Sequence, residues 1–185
     1  MKFSVKISPL RIPEVLLLEP RVFEDERGFF FESFNEKTFA QETGVNAHFV
    51  QDNVSRSIKQ VLRGLHYQLA QPQGKLIRVT AGEIYDVAVD IRRSSPSFGQ
   101  WAGTSLRAET RQSIWIPAGF AHGFLVVSAA AEIFYKVTAY WHPASERRII
   151  WNDPDLKIRW PLEGDPILSP ADLAANRFCA AELFA

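Results

Sequence analysis

The chain has 185 residues, 46% of them hydrophobic, and its 21 Lys and Arg balance 21 Asp and Glu to zero net charge. That length and apolar content suit a single domain spanning 1–185 with a sizeable core, and exclude a disordered chain. Without a basic excess, neither nucleic acid nor a membrane surface is an expected partner.

The chain reads as many short strands. The first is 15–18, an apolar run closed by Glu19 and Pro20 and too short for a signal peptide or a membrane span. Strands are then predicted at 29–34, 49–51, 61–68, 76–80, 85–91, 101–106, 113–116, 123–127 and 132–140. The clearest is 85–91, where Tyr85, Val87, Val89 and Ile91 alternate with Asp86, Ala88 and Asp90. Turn signals at 71–74, 81–82, 94–99, 117–119 and 153–155 separate these runs. Two helices interrupt them. Asn35 caps one over 36–43 with Gly44 as its stop, and Ser169-Pro170-Ala171-Asp172 starts the other. Strands at this pitch predict an all-β sandwich or closed barrel with short peripheral helices. One cysteine, Cys179, excludes an intrachain disulfide and fits a cytoplasmic protein.

The histidines carry the chemistry. Pro117 to His122 reads P-x-G-x-x-H, which resembles the second motif of the cupins, jelly-roll barrels that often hold a metal. The first cupin motif wants H-x-H, then a Glu seven residues before a Gly. Here His66 is followed by Gln68 in place of the second His, and Lys75 precedes Gly82 in place of the Glu. A protonated lysine cannot ligate and repels a divalent ion, so no metal is expected. An ammonium aimed into the barrel still supplies positive charge for a developing enolate.

Leu62-Arg63-Gly64-Leu65-His66-Tyr67-Gln68 closely resembles the signature of the dTDP-4-dehydrorhamnose 3,5-epimerase family. Arg27-Gly28-x-Phe30-x-Glu32, Gln51-Asp52-Asn53, Val89-Asp90-Ile91-Arg92, Tyr135-Lys136, Glu146 and Trp160-Pro161 follow the family's order, so the similarity covers nearly the whole chain. The resemblance implies a cupin-type jelly roll working as a homodimer on a dTDP-4-keto-6-deoxyhexose, with no cofactor. It implies that His66 is the base, Tyr135 the acid, Asp172 the carboxylate that orients the base, and Lys75 the enolate-stabilising cation. It places substrate contacts on Arg27, Phe30, Glu32, Gln51, Asp52, Asn53, Arg63, Lys75, His122, Tyr140 and Glu146. These residue types suit proton transfer beside a ketone. They supply an imidazole near its pKa of about 6.5, a donor for the opposite face, and a cation near the ketone oxygen.

Strict alternation sets Arg63 and His66 on opposite faces of one strand, which requires either a bulge at Gly64 or an approach of Arg63 from a rim. Tyr135 and Tyr140 likewise differ in parity. Asp172 stands three residues after Ser169, where a capping-box carboxylate also belongs. Ala171, Val54, Gln60 and Trp141 depart from residues common in the family, a pattern also compatible with a relative that inverts one centre. The further alternatives are a metal-dependent cupin and a non-catalytic sugar-binding cupin.

Overall fold

The computed structural model describes residues 4–185. The strands in chain order are β1 (Val5–Pro9), β2 (Leu16–Pro20), β3 (Phe23–Asp25), β4 (Gly28–Phe30), β5 (Gln51–Ile58), β6 (Leu62–Gln68) and β7 (Lys75–Ala81). They continue with β8 (Glu83–Asp90), β9 (Trp101–Arg107), β10 (Ser113–Ile116), β11 (Phe120–Val126), β12 (Ala130–Val137) and β13 (Glu146–Arg148). The helices α1 (Glu36–Thr43) and α2 (Pro170–Leu173) lie outside the sheets.

Two antiparallel sheets form the cupin-like jelly roll, one in the order β1-β2-β10-β7-β12-β5 and the other β13-β6-β11-β8-β9. The inward side chains of both sheets meet in the main core, where Ile77, Val79, Ile84, Leu106, Ile114, Phe124 and Ile133 interlock. Each such buried side chain contributes ~1.5–3 kcal/mol. The second sheet is buried on its outer side too: Tyr67, Val87, Val89 and Ile91 pack beneath Ile149, Leu156 and Ala181 of the carboxy-terminal segment. Covered on both sides, this sheet is the rigid wall of the barrel.

Helix α1 forms where its caps predict. The Asn35 side chain accepts from the Thr38 N–H, and Gly44 at φ 71° closes the helix by donating to the Ala40 carbonyl. Phe39 fastens the helix to the outer face of the first sheet through an edge contact with Trp115, 5.4 Å between ring centroids.

Several strands differ from the sequence reading. The run 29–34 is a strand only to Phe30, and 132–140 ends at Val137. Of the expected strand 49–51 only Gln51 is in a strand, as the first residue of the eight-residue β5. The rest of β5 carried no strand signal because its inner face is polar, with Asn53, Ser55 and Ser57, and its outer face interrupts Val54 and Ile58 with Asp52 and Arg56. β1 was missed although Val5 and Ile7 alternate with Lys6 and Ser8, whereas β3 and β13, three residues each, are too short to carry an alternation.

Candidate active site

A cleft of about 210 Å³ lies between the two sheets, lined by Arg63, His66, Lys75, His122, Tyr135, Trp141 and Glu146 among others. Most of these residues come from strand interiors, so a packed scaffold fixes their positions.

Arg63 and His66 share this cleft because β6 is bulged. His66 pairs with His122 and Arg63 with Phe124, so three steps on β6 match two on β11. The extra residue restores a common face, which selects the bulge over the rim. Gly64 sits there at φ 132°, and a Cβ on it would come 2.5 Å from the Gly123 Cα. Glycine is therefore required on both counts.

His66 Nε2 lies 2.5 Å from Asp172 Oδ1. A carboxylate only accepts, so the ring proton sits on Nε2 and Nδ1 keeps its lone pair for a ligand. Asp172 is 3% exposed. Its second oxygen accepts from the Ser169 hydroxyl at 2.8 Å, and Ser169 Oγ accepts from the Asp172 N–H at 3.1 Å. One carboxylate thus holds both the imidazole and the start of α2. Burial pushes its carboxyl pKa up, but bonding and charge from His66, with help from Ser169 and Arg148, outweigh this and hold it below the usual range.

Lys75 and Tyr135 face His66 from the opposite sheet, on β7 and β12. Burial pulls the Lys75 pKa down to about 8, against opposing pulls from Glu146 and Asp86. Its ammonium donates to Gln73 Oε1 at 3.1 Å. Burial pushes the Tyr135 hydroxyl up, opposed by Arg63 and aided by Glu146, so at neutral pH it keeps its proton. The cleft therefore sets an imidazole on one wall against a protonated phenol and an ammonium on the other.

The cupin ligand positions do not suit a metal. Gln68 gives its amide to backbone, donating to the Gln71 and Tyr140 carbonyls and accepting from the His142 N–H. Lys75 brings positive charge to the other position. Among the described residues, no group of three or more His, Cys, Asp and Glu side chains is disposed to hold an ion.

Other expected contacts lie apart from the cleft. Arg27 pairs with Asp25 on the exposed β3–β4 hairpin, Phe30 is 58% exposed there, and Glu32 accepts from the Asn35 side chain. Asp52 binds Lys136 at 2.7 Å on the outer face of β5. Gln51 and Asn53 are joined at 2.8 Å on the inward side of β5, and Gln51 also accepts from the Trp141 N–H. Tyr140 is 63% exposed. It is Trp141 that lines the cleft, its indole N–H donating to Glu146 at 3.0 Å. The chain has already left β12 at Val137, so strand parity does not extend to either residue.

The sequence reading missed Trp141 as a lining residue, and it missed Asp86. Asp86 is fully buried and its Oδ2 lies 2.9 Å from His122 Nε2. The available signal was an acid at an alternating position inside a clear strand.

A family model described as dTDP-4-dehydrorhamnose 3,5-epimerase matches residues 9–180. The dTDP-4-dehydrorhamnose 3,5-epimerase of Pseudomonas aeruginosa is 57% identical over 180 residues, covering 97% of this chain and 99% of its own. The crystal structure of dTDP-6-deoxy-D-glucose-3,5-epimerase from Legionella pneumophila, in complex with dTDP-4-keto-L-rhamnose, is 52% identical. It superposes with a TM-score of 0.94 over 97% of this chain and 95% of that one. A 3'-monoepimerase from Streptomyces bikiniensis in complex with dTDP-quinovose is 34% identical, with a TM-score of 0.86 over 92% and 87% of the two chains.

Proposed function

This chain belongs to the dTDP-4-dehydrorhamnose 3,5-epimerase family, and we propose that it inverts C3 and C5 of dTDP-4-keto-6-deoxyglucose to give dTDP-4-keto-L-rhamnose, without a cofactor. The observation that carries this reading is the His66–Asp172 pair set across the cleft from Tyr135 and Lys75.

The chemistry follows from the ketone. Hydrogens on C3 and C5 flank the 4-keto group, so removing either one moves charge onto oxygen. His66 Nδ1 takes the proton, and Asp172 holds the ring and stabilises the imidazolium. Lys75 meets the developing enolate oxygen. Tyr135 returns a proton from the opposite wall, which inverts the carbon. Two centres need two rounds of the same chemistry, and between them solvent takes the proton from the His66 imidazolium and restores one to the Tyr135 phenolate.

Arg63, an exposed residue lining the cleft, suits the diphosphate. Trp141, placed where Tyr140 was expected, offers the flat face for a thymine ring. We assign Arg27, Phe30 and Glu32 to a second copy's site in a homodimer. Arg27 and Phe30 on the hairpin and Glu32 just beyond it are not among the residues that line this chain's own cleft, and the outer face of β5 exposes two apolar side chains, Val54 and Ile58, 66% and 60%, for such a contact.

Proton NMR of the product tests the reading. Inversion at both C3 and C5 supports it; a product inverted at C3 alone would make this a single-centre enzyme, and no turnover would overturn the assignment.

A further inference from the structure

Four aspartates are buried, and three have structural explanations. Asp90 is held by Arg92, Ser95 and Ser97. Asp153 accepts from the backbone N–H groups of Asp155, Leu156 and Phe178. Asp172 holds His66 and Ser169.

Asp86 is different. It is 0% exposed, its Oδ2 meets only His122 Nε2 at 2.9 Å, and its Oδ1 has no hydrogen-bond partner among the described residues. A buried carboxylate so thinly satisfied is a poor stabilising device, because desolvation outweighs a single bond. Its place is informative. β8 and β11 are paired with His122 opposite Ala88 and Phe124 opposite Asp86, which sets the carboxylate beneath the His122 ring. His122 is in turn the cross-strand partner of His66.

We propose that Asp86 is a positioning residue that fixes His122 from below the cleft, as Asp172 fixes His66 from behind. The carboxylate accepts from Nε2–H, which sets the ring plane and leaves Nδ1 for the substrate. The floor of the cleft then carries two imidazoles in one tautomeric state, each anchored on an acid from a different element. Asp86 does not touch the substrate; it acts through His122, and the rates are read near pH 6, about two units below the Lys75 pKa of about 8, so that Lys75 keeps its proton with or without the Asp86 charge. This inference rests on the proposed reaction only in its kinetic arm.

The kinetic arm is a double-mutant cycle read as kcat/KM. Asp86→Asn should lower kcat/KM by about 10–100-fold. In a His122→Gln background the same change should cost less than about 3-fold, because the residue through which it acts is gone. Equal losses in both backgrounds, or no loss in either, would overturn the proposal. The second arm needs neither substrate nor a folded variant. Nitrogen-15 NMR of His122 in the free wild-type protein should show Nε2 carrying a proton bonded to carboxylate. A ring protonated on Nδ1 alone, or an even tautomer mixture, would overturn the proposal. Failure of the wild-type protein to turn over the dTDP sugar would instead remove the reading of the reaction and leave this second arm standing.

Discussion

Arg63 and His66 point into one cleft from a single strand although they lie an odd number of steps apart, because the bulge at Gly64 adds a step to β6 against β11. The bulge is tight: the Gly64 Cα faces Gly123 so closely that a Cβ would sit 2.5 Å from its Cα. Gly64→Ala is expected to cost about 1–3 kcal/mol of stability from the backbone conformation alone, with further loss from the contact. Urea unfolding measures the first, and calorimetric titration with dTDP measures the misalignment of Arg63. A variant with unchanged stability and dTDP affinity would refute this account of the bulge.

Arg63 lines the cleft as an exposed residue, and its guanidinium donates to Ser57 Oγ at 3.1 Å. A charge-assisted bond to phosphate is worth ~1.5–3 kcal/mol. Arg63→Ala should therefore weaken free dTDP by roughly 10–100-fold, read by calorimetry. Undiminished dTDP affinity would take the diphosphate away from Arg63.

Lys75 sets an alkaline limit on turnover. Its pKa is drawn down to about 8 by burial, so the ammonium is present below that pH and lost above it. The rate should fall as pH rises through about 8. Glu146 holds the value up, so Glu146→Gln should move this limb to lower pH. For stability the sign is opposite. The unfolded lysine holds its proton to about 10.4, so it binds more protons than the folded one between the two values. The Lys75 contribution to stability therefore rises with pH across that window. Lys75→Met should remove the cost of burying the ammonium at pH 7 and raise the unfolding midpoint, while turnover falls by about 10²–10³. A Lys75→Met protein that keeps its turnover number would take the lysine out of the enolate step.

Asp172 serves two neighbours, and two substitutions separate them. Asp172→Asn keeps the shape but no longer enforces the proton on His66 Nε2, so kcat should fall by about 10²–10⁴. Ser169→Ala removes the cap of α2 and the hydroxyl on Asp172 Oδ2, at about 1 kcal/mol of stability, with a much smaller effect on rate. Thermal unfolding alongside initial rates checks both, and equal rate losses would show that the cap is what positions the base.

The parts legible in the sequence were those with a local cause. The caps Asn35, Gly44 and Ser169 announced both helices, and alternation announced β8. The bulge could be posed as an alternative because parity alone set Arg63 against His66. Most of β5 stayed hidden because its inner face is polar and its outer face interrupts Val54 and Ile58 with the charges of Asp52 and Arg56. The exchange of Tyr140 for Trp141 depends on a loop held by distant partners, Gln68 to the Tyr140 carbonyl and Gln51 to the Trp141 N–H. Nothing local records those bonds. Asp86 lay within the clearest strand, but which side of that strand faces the cleft is decided by the carboxy-terminal segment that covers the other side.

The central claim is that His66 removes the proton and Tyr135 returns one from the opposite wall. The most direct test is site-resolved deuterium incorporation, by NMR in heavy water, into substrate held with Tyr135→Phe. That variant keeps the ring and its packing against the core but loses the hydroxyl. The enolate should still form, and His66 should return solvent deuterium to the face it came from. Deuterium is then expected at C5 with configuration retained, and little epimer. Inversion of both carbons at the wild-type rate would contradict the account, since the terminal donor would lie elsewhere. Neither exchange nor inversion would contradict it differently, by showing that the hydroxyl is needed to form the enolate.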